Sequence, residues 1–328
     1  MAVNTLTEQL NTMYTTTWYL RRKEVVDNIF NATPFWYLLT KKGKRSTQTG
    51  GRAIEIPLQY AKNETVKFIG RGGTVELEAT DPLTVVQWKW RYLTGHIIRY
   101  FADFQMNRGQ AQLIRKVNAD INNLQSSLID SLETALFSDG TGDANQAIDG
   151  LGNIVAIAPA TGTVGNLDRA TYTWWRNKYK SMSGEAASIY LRKRMNTMFN
   201  DCGALGKGVS RFPDILVGAQ DVYEMYESEA LEISRILIGD RKMADLGFGD
   251  LAFKGRPMTW SPSCPAGYLY FLNTSVLEWI ADPIENFTLG DWLPIVNQPR
   301  DVVAHSMTVG NLVSGCPKKL GVIFLIAE

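Results

Sequence analysis

Cysteine is nearly absent from this chain of 328 residues: Cys202, Cys264 and Cys316 are the only three. An odd count without paired spacing excludes a disulfide framework and a structural zinc site, and it suits a reducing compartment. Histidine is scarcer still, with His96 in "LTGHIIRY" and His305 in "VVAHSMTV" making up the whole set of two. Both stand in strand-like apolar stretches, where an imidazole is expected to be structural with one nitrogen satisfied. A zinc site wants three or four ligands at short spacing, and no such group occurs. An excess of one charge is also lacking, because 34 basic residues face 33 acidic ones. The composition therefore carries no global footprint for nucleic acid. The one local bias is at the amino-terminal end, where the first 60 residues hold eight Lys and Arg against four Asp and Glu. No apolar run approaches the roughly 20 residues needed to cross a bilayer. The opening "MAVNTLTEQLNTMYTTTWYL" has no basic start followed by an apolar core. The expectation is a protein made and kept, at least at first, inside a cell, without membrane contact.

Catalytic constellations are missing as well. The stretch "FKGRPMTWSPSCPAGYLYFLNT" (residues 253–274) has the look of an active-site loop, yet Cys264 has no neighbouring base. Its flanking Pro262 and Pro265 point to a rigid turn between two strands, which Tyr268, Tyr270 and Phe271 open on the return. "GRGG" at 70–73 lacks the later Lys and Ser or Thr of a phosphate loop. "SDGTGD" at 138–143 ends a helix instead of opening one, and Asp139, Asp143 and Asp149 lack the spacing of a calcium loop. The basic pieces "YLRRK" and "KKGKR" read first as solvated linker, with contact to nucleic acid or to a neighbouring subunit as the other readings. No catalytic residue, metal or cofactor is expected, and the chain is not expected to be an enzyme.

What is present is architectural. Apolar residues make up 45% and charged residues 20%, the balance of a folded protein. Leu113, Ile114, Val117, Ile121, Leu124, Leu128, Leu132 and Leu136 recur at spacings of three and four, predicting a helix over 107–137. Asn107 is its expected cap and "SDGTG" its stop. About thirty residues at 1.5 Å each give a rod of about 45 Å. Alternation predicts a strand over 53–60, then two short strands at 65–69 and 74–78 around the glycine turn 70–73. Such a hairpin cannot stand alone in water, so another chain is its expected support. Upstream, a helix over 19–39 broken by Pro34 leads into a polar linker, "TKKGKRSTQTGG". The aromatics Trp18, Phe35, Trp36 and Tyr37 anchor this arm either on the protein's own body or on a neighbouring subunit. Helices are predicted at 168–182 and 188–206, a strand ending near Gly218 with a helix after it, strands on both sides of the Pro-rich turn, and a buried closing strand. The pattern is α+β, without internal repeats or low-complexity tracts.

In this order, the elements resemble the major capsid protein of tailed bacteriophages, of the Hong Kong 97 type. The resemblance rests on the arm leading through Ile54, Ile56 and Leu58 into the "GRGG" loop, on the long helix closed by "LFSDGTGDANQAIDGLGN", on "FPDILVGAQDVYEMYESE", and on "FKGRPMTWSPSCPAGYLYFLNTSVLEWI". It implies an α+β fold with an N-terminal arm over 1–50 and an extended loop hairpin with flanking strands over 51–95. A peripheral domain would cover 96–150 and 291–328, with the spine helix at 107–137, and an axial domain 151–290. Intersubunit contacts are expected at Lys62, Glu64, Val66, Lys67, Phe68, Arg71, Gly72, Gly73, Val75 and Leu77, and arm contacts at Trp18, Phe35, Trp36 and Tyr37. The implied function is self-assembly into hexamers and pentamers of an icosahedral head around double-stranded DNA, in a virion assembled in host cytoplasm. Implied partners are copies of the chain, a portal protein, a separate scaffolding protein because no charged helical preface opens the chain, a decoration protein, and DNA held by non-specific contact. Some members cross-link a loop lysine to an asparagine; Lys62, Lys67, Asn297 and Asn311 are of the right types, but no role carries over to them. An encapsulin-like compartment shell is the alternative, and a soluble α+β enzyme a more distant one.

Overall fold

The long amphipathic helix organises the chain. A computed structural model describes residues 33–41, 45–63, 65–73, 81–102, 110–204, 211–237 and 251–327. In chain order the elements are α1 (Pro34–Lys41), β1 (Arg45–Thr47), β2 (Ile54–Gln59), β3 (Leu83–Trp88), β4 (Arg91–Arg99) and α2 (Gln110–Phe137). Then come β5 (Thr163–Val164), β6 (Leu167–Asp168), β7 (Lys178–Ser181), α3 (Ala187–Cys202), β8 (Ile215–Gly218) and α4 (Gln220–Leu237). The last are β9 (Ala252–Phe253), β10 (Arg256–Trp260), β11 (Leu269–Leu272), β12 (Leu277–Leu289), β13 (Leu293–Ile295), β14 (Gln298–Ser314) and β15 (Gly321–Phe324).

The helix α2 is the predicted rod, with Leu128, Leu132, Leu136 and Phe137 buried along one face. Its expected cap, Asn107, lies outside the described residues. At the other end the chain folds back closely: a Cβ on Gly150 would sit 2.4 Å from the carbonyl oxygens of both Ala135 and Ser138. Only glycine fits there, which gives the "GLG" that follows the helix a packing reason.

The described residues fall into two compact units. One comprises Thr94–Asp130 and Phe287–Met307. In it β4 lies so close to the helix that a Cβ on Gly95 would meet Leu124 Cδ1 at 2.5 Å. The larger unit comprises Ala32–Leu93, Ser131–Asn286 and Thr308–Glu328. Its six-stranded sheet has the order β7-β15-β11-β8-β10-β9. All four residues of β8 and of β11 are buried, as uninterrupted apolar strands require. α3 covers the sheet with Leu191, Met195, Met198, Phe199 and Cys202. A Cβ on Gly321 of β15 would lie 2.5 Å from Met198 Sδ, so helix and strand meet at van der Waals distance. A five-stranded sheet has the order β1-β12-β14-β13, with β4 paired on β14.

Several sequence expectations need correction. Residues 65–69 are not a strand, and their expected partner at 74–78 lies outside the described residues; the described ladder of the hairpin lies lower, where Ile54 to Gln59 of β2 pair with Trp88 to Leu83 of β3. The helix expected at 168–182 is replaced by a turn of 3-10 helix at Thr173–Trp175 and by β7, which pairs with β15. The linker after α1 contains a strand, since Arg45 to Thr47 pair parallel with Trp279 to Ala281. The strands flanking the Pro-rich turn are not direct neighbours: β8 lies between them, parallel to β10 and antiparallel to β11.

Candidate assembly surface

The extended loop begins where backbone pairing ends. Gln59 is opposite Leu83, and Tyr60 closes the base by donating its N–H to Pro82 O at 3.0 Å and its hydroxyl to Asp81 O at 3.1 Å. The Tyr60 ring stacks on Trp174 with centroids 5.7 Å apart. Below it, a Cβ on Gly165 would meet Val86 Cγ1 at 2.3 Å, so the ladder is held tightly against the 165 turn. The base is therefore fixed, while the described residues 66–73 beyond it are exposed.

At the tip, Gly73 N–H donates to Gly70 O at 3.0 Å and Gly72 has φ +85°, a conformation open to glycine at no steric cost. Along the loop Val66 is 82% exposed, Phe68 109% and Ile69 57%. Lys62, Lys67, Arg71, Gly72 and Gly73 are exposed around them, and Glu64, Val75 and Leu77 lie outside the described residues. Two further apolar side chains, Leu83 and Val85, are exposed on β3 beside the loop. Alternation in "LTVVQW" assigns them to the face opposite Val86 and Trp88, a signal the sequence reading did not use. A fully exposed Phe gains about 2 to 3 kcal/mol on burial. The loop is thus an apolar strip with a charged border, suited to lie on another surface.

The arm residues behave differently. Trp18 lies outside the described residues, and Tyr37 is 56% exposed, but Phe35 and Trp36 are buried at 1% and 8%. Phe35 packs on Phe137 at 5.4 Å, and Trp36 meets Trp279 edge-on at 5.4 Å. This corrects the intersubunit assignment at these two positions: of the two readings of the arm, packing on the protein's own body holds here. The cause is Glu133, which sequence reading missed. Its carboxyl accepts the N–H groups of Phe35 at 3.1 Å and Trp36 at 2.7 Å, and the Ser261 hydroxyl at 2.8 Å. The first turn of α1, whose N–H groups have no partner within the helix, is capped by an acidic residue from α2. An acidic residue inside the buried stripe of Leu132, Leu136 and Phe137 is the signal that marks it.

Candidate chemical groups are enclosed or dispersed. Burial pushes the Cys202 thiol up to about 12 and raises that of Cys264 too. An unfolded cysteine titrates near 8.5, so from about pH 8.5 to 12 the folded state binds more protons than the unfolded one. Stability is then full below about pH 8.5 and falls as pH rises, by about 1.4 kcal/mol per pH unit per thiol. Urea midpoints at pH 8 and pH 10.5 check this; the higher pH is expected to give the lower midpoint. The Pro-rich turn holds Cys264 N–H on Ser261 O, and Asp221 accepts Gly267 N–H at 2.8 Å, so residues 261–267 form a rigid corner. Asn311 is fully buried and engaged with Asp149 and Lys89, which removes it as a cross-linking group. Among the described residues no three His, Cys, Asp or Glu side chains are grouped to hold a metal, and no helix is long and apolar enough to cross a membrane.

No protein-family model matches the sequence, and no curated protein matches it significantly. Solved structures do. The capsid protein of cyanophage A-1(L) matches with a TM-score of 0.70 at 17% identity, over 94% of this chain and 96% of that one. A structure of Gordonia phage Cozz matches with a TM-score of 0.56 at 13% identity, over 94% and 90%. The SrpI encapsulin of Synechococcus elongatus PCC 7942 matches with a TM-score of 0.56 at 10% identity, over 99% and 96%. Identities this low establish architecture and not descent by function: the chain has the α+β fold of capsid shells of the Hong Kong 97 type.

Proposed function

We propose that this chain is a major capsid protein, a structural and not a catalytic molecule, which assembles into hexamers and pentamers of an icosahedral phage head enclosing double-stranded DNA. The observation that carries the reading is the exposed strip of Val66, Phe68 and Ile69 on a loop whose base is rigid, in a chain matching a phage capsid protein over nearly its whole length. Heterologous contacts repeated around an axis close into rings, and a loop that reaches beyond its own fold is what such contacts use. A separate scaffolding protein, a portal, a decoration protein and packaged DNA are the partners that go with this role, in a virion assembled in host cytoplasm. A second reading, a compartment shell enclosing protein cargo, is favoured by the match to the encapsulin over 99% of this chain.

Negative-stain microscopy and nuclease treatment of native particles test both readings. Hollow angular particles of uniform size that protect double-stranded DNA are the expected result. Particles of that shape containing protein and no DNA would favour the compartment, and a small discrete oligomer would contradict both.

A further inference from the structure

The two histidines of this chain are 209 positions apart in sequence and meet at one place. His96 is on β4 and His305 on β14, strands that pair with each other, and their ring centroids are 6.0 Å apart. Both side chains are exposed, contrary to the buried setting their sequence surroundings suggest. Strand alternation explains this. Ala304 and Ser306 are buried on either side of His305, and Ile97 is buried next to His96, so both imidazoles point to the opposite, solvent face. The backbone beneath is fixed, with Gly290 N–H on His305 O at 2.8 Å and Thr94 Oγ1 on Ser306 O at 3.4 Å. Among the described residues neither imidazole has a hydrogen-bond partner, so the ring nitrogens remain open to a ligand.

We propose that His96 and His305 form a binding site for one divalent transition-metal ion of the zinc class, with water in the remaining positions. A zinc–imidazole bond is about 2.0 to 2.1 Å, which puts the metal roughly 3.2 Å from each ring centre. Two rings sharing an ion then have centres about 5 to 6 Å apart. The observed 6.0 Å is at the upper end, and a small side-chain rotation on a fixed backbone closes the rest. Imidazole nitrogen selects zinc, nickel or copper and disfavours magnesium and calcium, which need oxygen ligands. With two protein ligands the ion exchanges readily and keeps positions open to a further donor.

Titration calorimetry of the full chain with Zn²⁺, and with Mg²⁺ as comparison, tests the site in the native protein and in His96→Gln and His305→Gln. One zinc per chain is expected, weakened about tenfold or more in either variant, with no magnesium uptake. Circular dichroism of each variant reports its folding. A second measurement needs no variant: Zn²⁺ should protect both histidines of the native chain from carbethoxylation. The absence of zinc uptake, equal affinity in folded variants, or unprotected histidines would each overturn the proposal.

Discussion

Replacing residues 62–80 by a short Gly and Ser linker leaves a soluble, folded protomer that fails to close stable shells. The reason is the division of labour between base and loop. Pairing of β2 with β3 runs only from Ile54–Trp88 to Gln59–Leu83, and the Tyr60 contacts to Asp81, Pro82 and Trp174 close the base. All of these survive the replacement. The exposed Val66, Phe68 and Ile69 are removed, and each gains about 1.5 to 3 kcal/mol when covered by a neighbour. Multiplied over every subunit contact in a closed shell, that loss decides assembly while leaving the protomer's core intact. Sedimentation velocity of the variant beside the parent, with circular dichroism, reads both parts. Normal particles would refute the bridging role, and an unfolded chain would show that the loop belongs to the protomer's own core.

Glu133→Ala lowers the melting temperature of the unassembled protomer by about 6 °C. The substitution leaves the N–H groups of Phe35 and Trp36 and the Ser261 hydroxyl without their acceptor, in a place where Glu133 itself is fully buried. Buried polar groups that lose a partner cost about 1 to 3 kcal/mol each, for a total of about 4 kcal/mol after relaxation. At about 1.5 °C per kcal/mol for a fold of 328 residues the shift is about 6 °C. Ser261→Ala removes one donor and leaves the α1 cap intact, so its effect is smaller. Calorimetry separates the two. An unchanged transition in Glu133→Ala would show that the aromatic packing of Phe35 on Phe137 and Trp36 on Trp279 holds the arm alone.

The elements legible in the sequence are those whose side-chain period matches their own burial. α2 repeats apolar residues every three or four positions, and Leu128, Leu132 and Leu136 of that repeat are buried on one face; β2 alternates because one face of the ladder is covered. Alternation alone also misleads: "TVKFI" reads as a strand, but it has no strand assignment and Val66 to Ile69 are exposed. Pairing that depends on distant backbone leaves no periodic mark. β1 is three polar residues, Arg45 to Thr47, made a strand by β12 alone, and β7 is formed on β15 from a stretch whose aromatics mimic helical spacing. The cap formed by Glu133 joins positions 98 residues apart, and the histidine pair joins two strands from opposite ends of the sequence. Neither spacing is visible until the chain is folded. That Val66 and Phe68 find no interior was legible, because a short polar hairpin cannot enclose them; the placing of Phe35 and Trp36 was not, because they have the same composition whether they pack inward or on a neighbour.

The most direct test of the assembly role is a cryo-electron microscopy reconstruction of particles formed by the full chain. The expected result is a closed shell of five- and six-membered rings in which Val66 and Phe68 are covered by an adjacent copy. A small discrete oligomer, or a shell in which the loop from Tyr60 to Leu83 stands free in solvent, would contradict it.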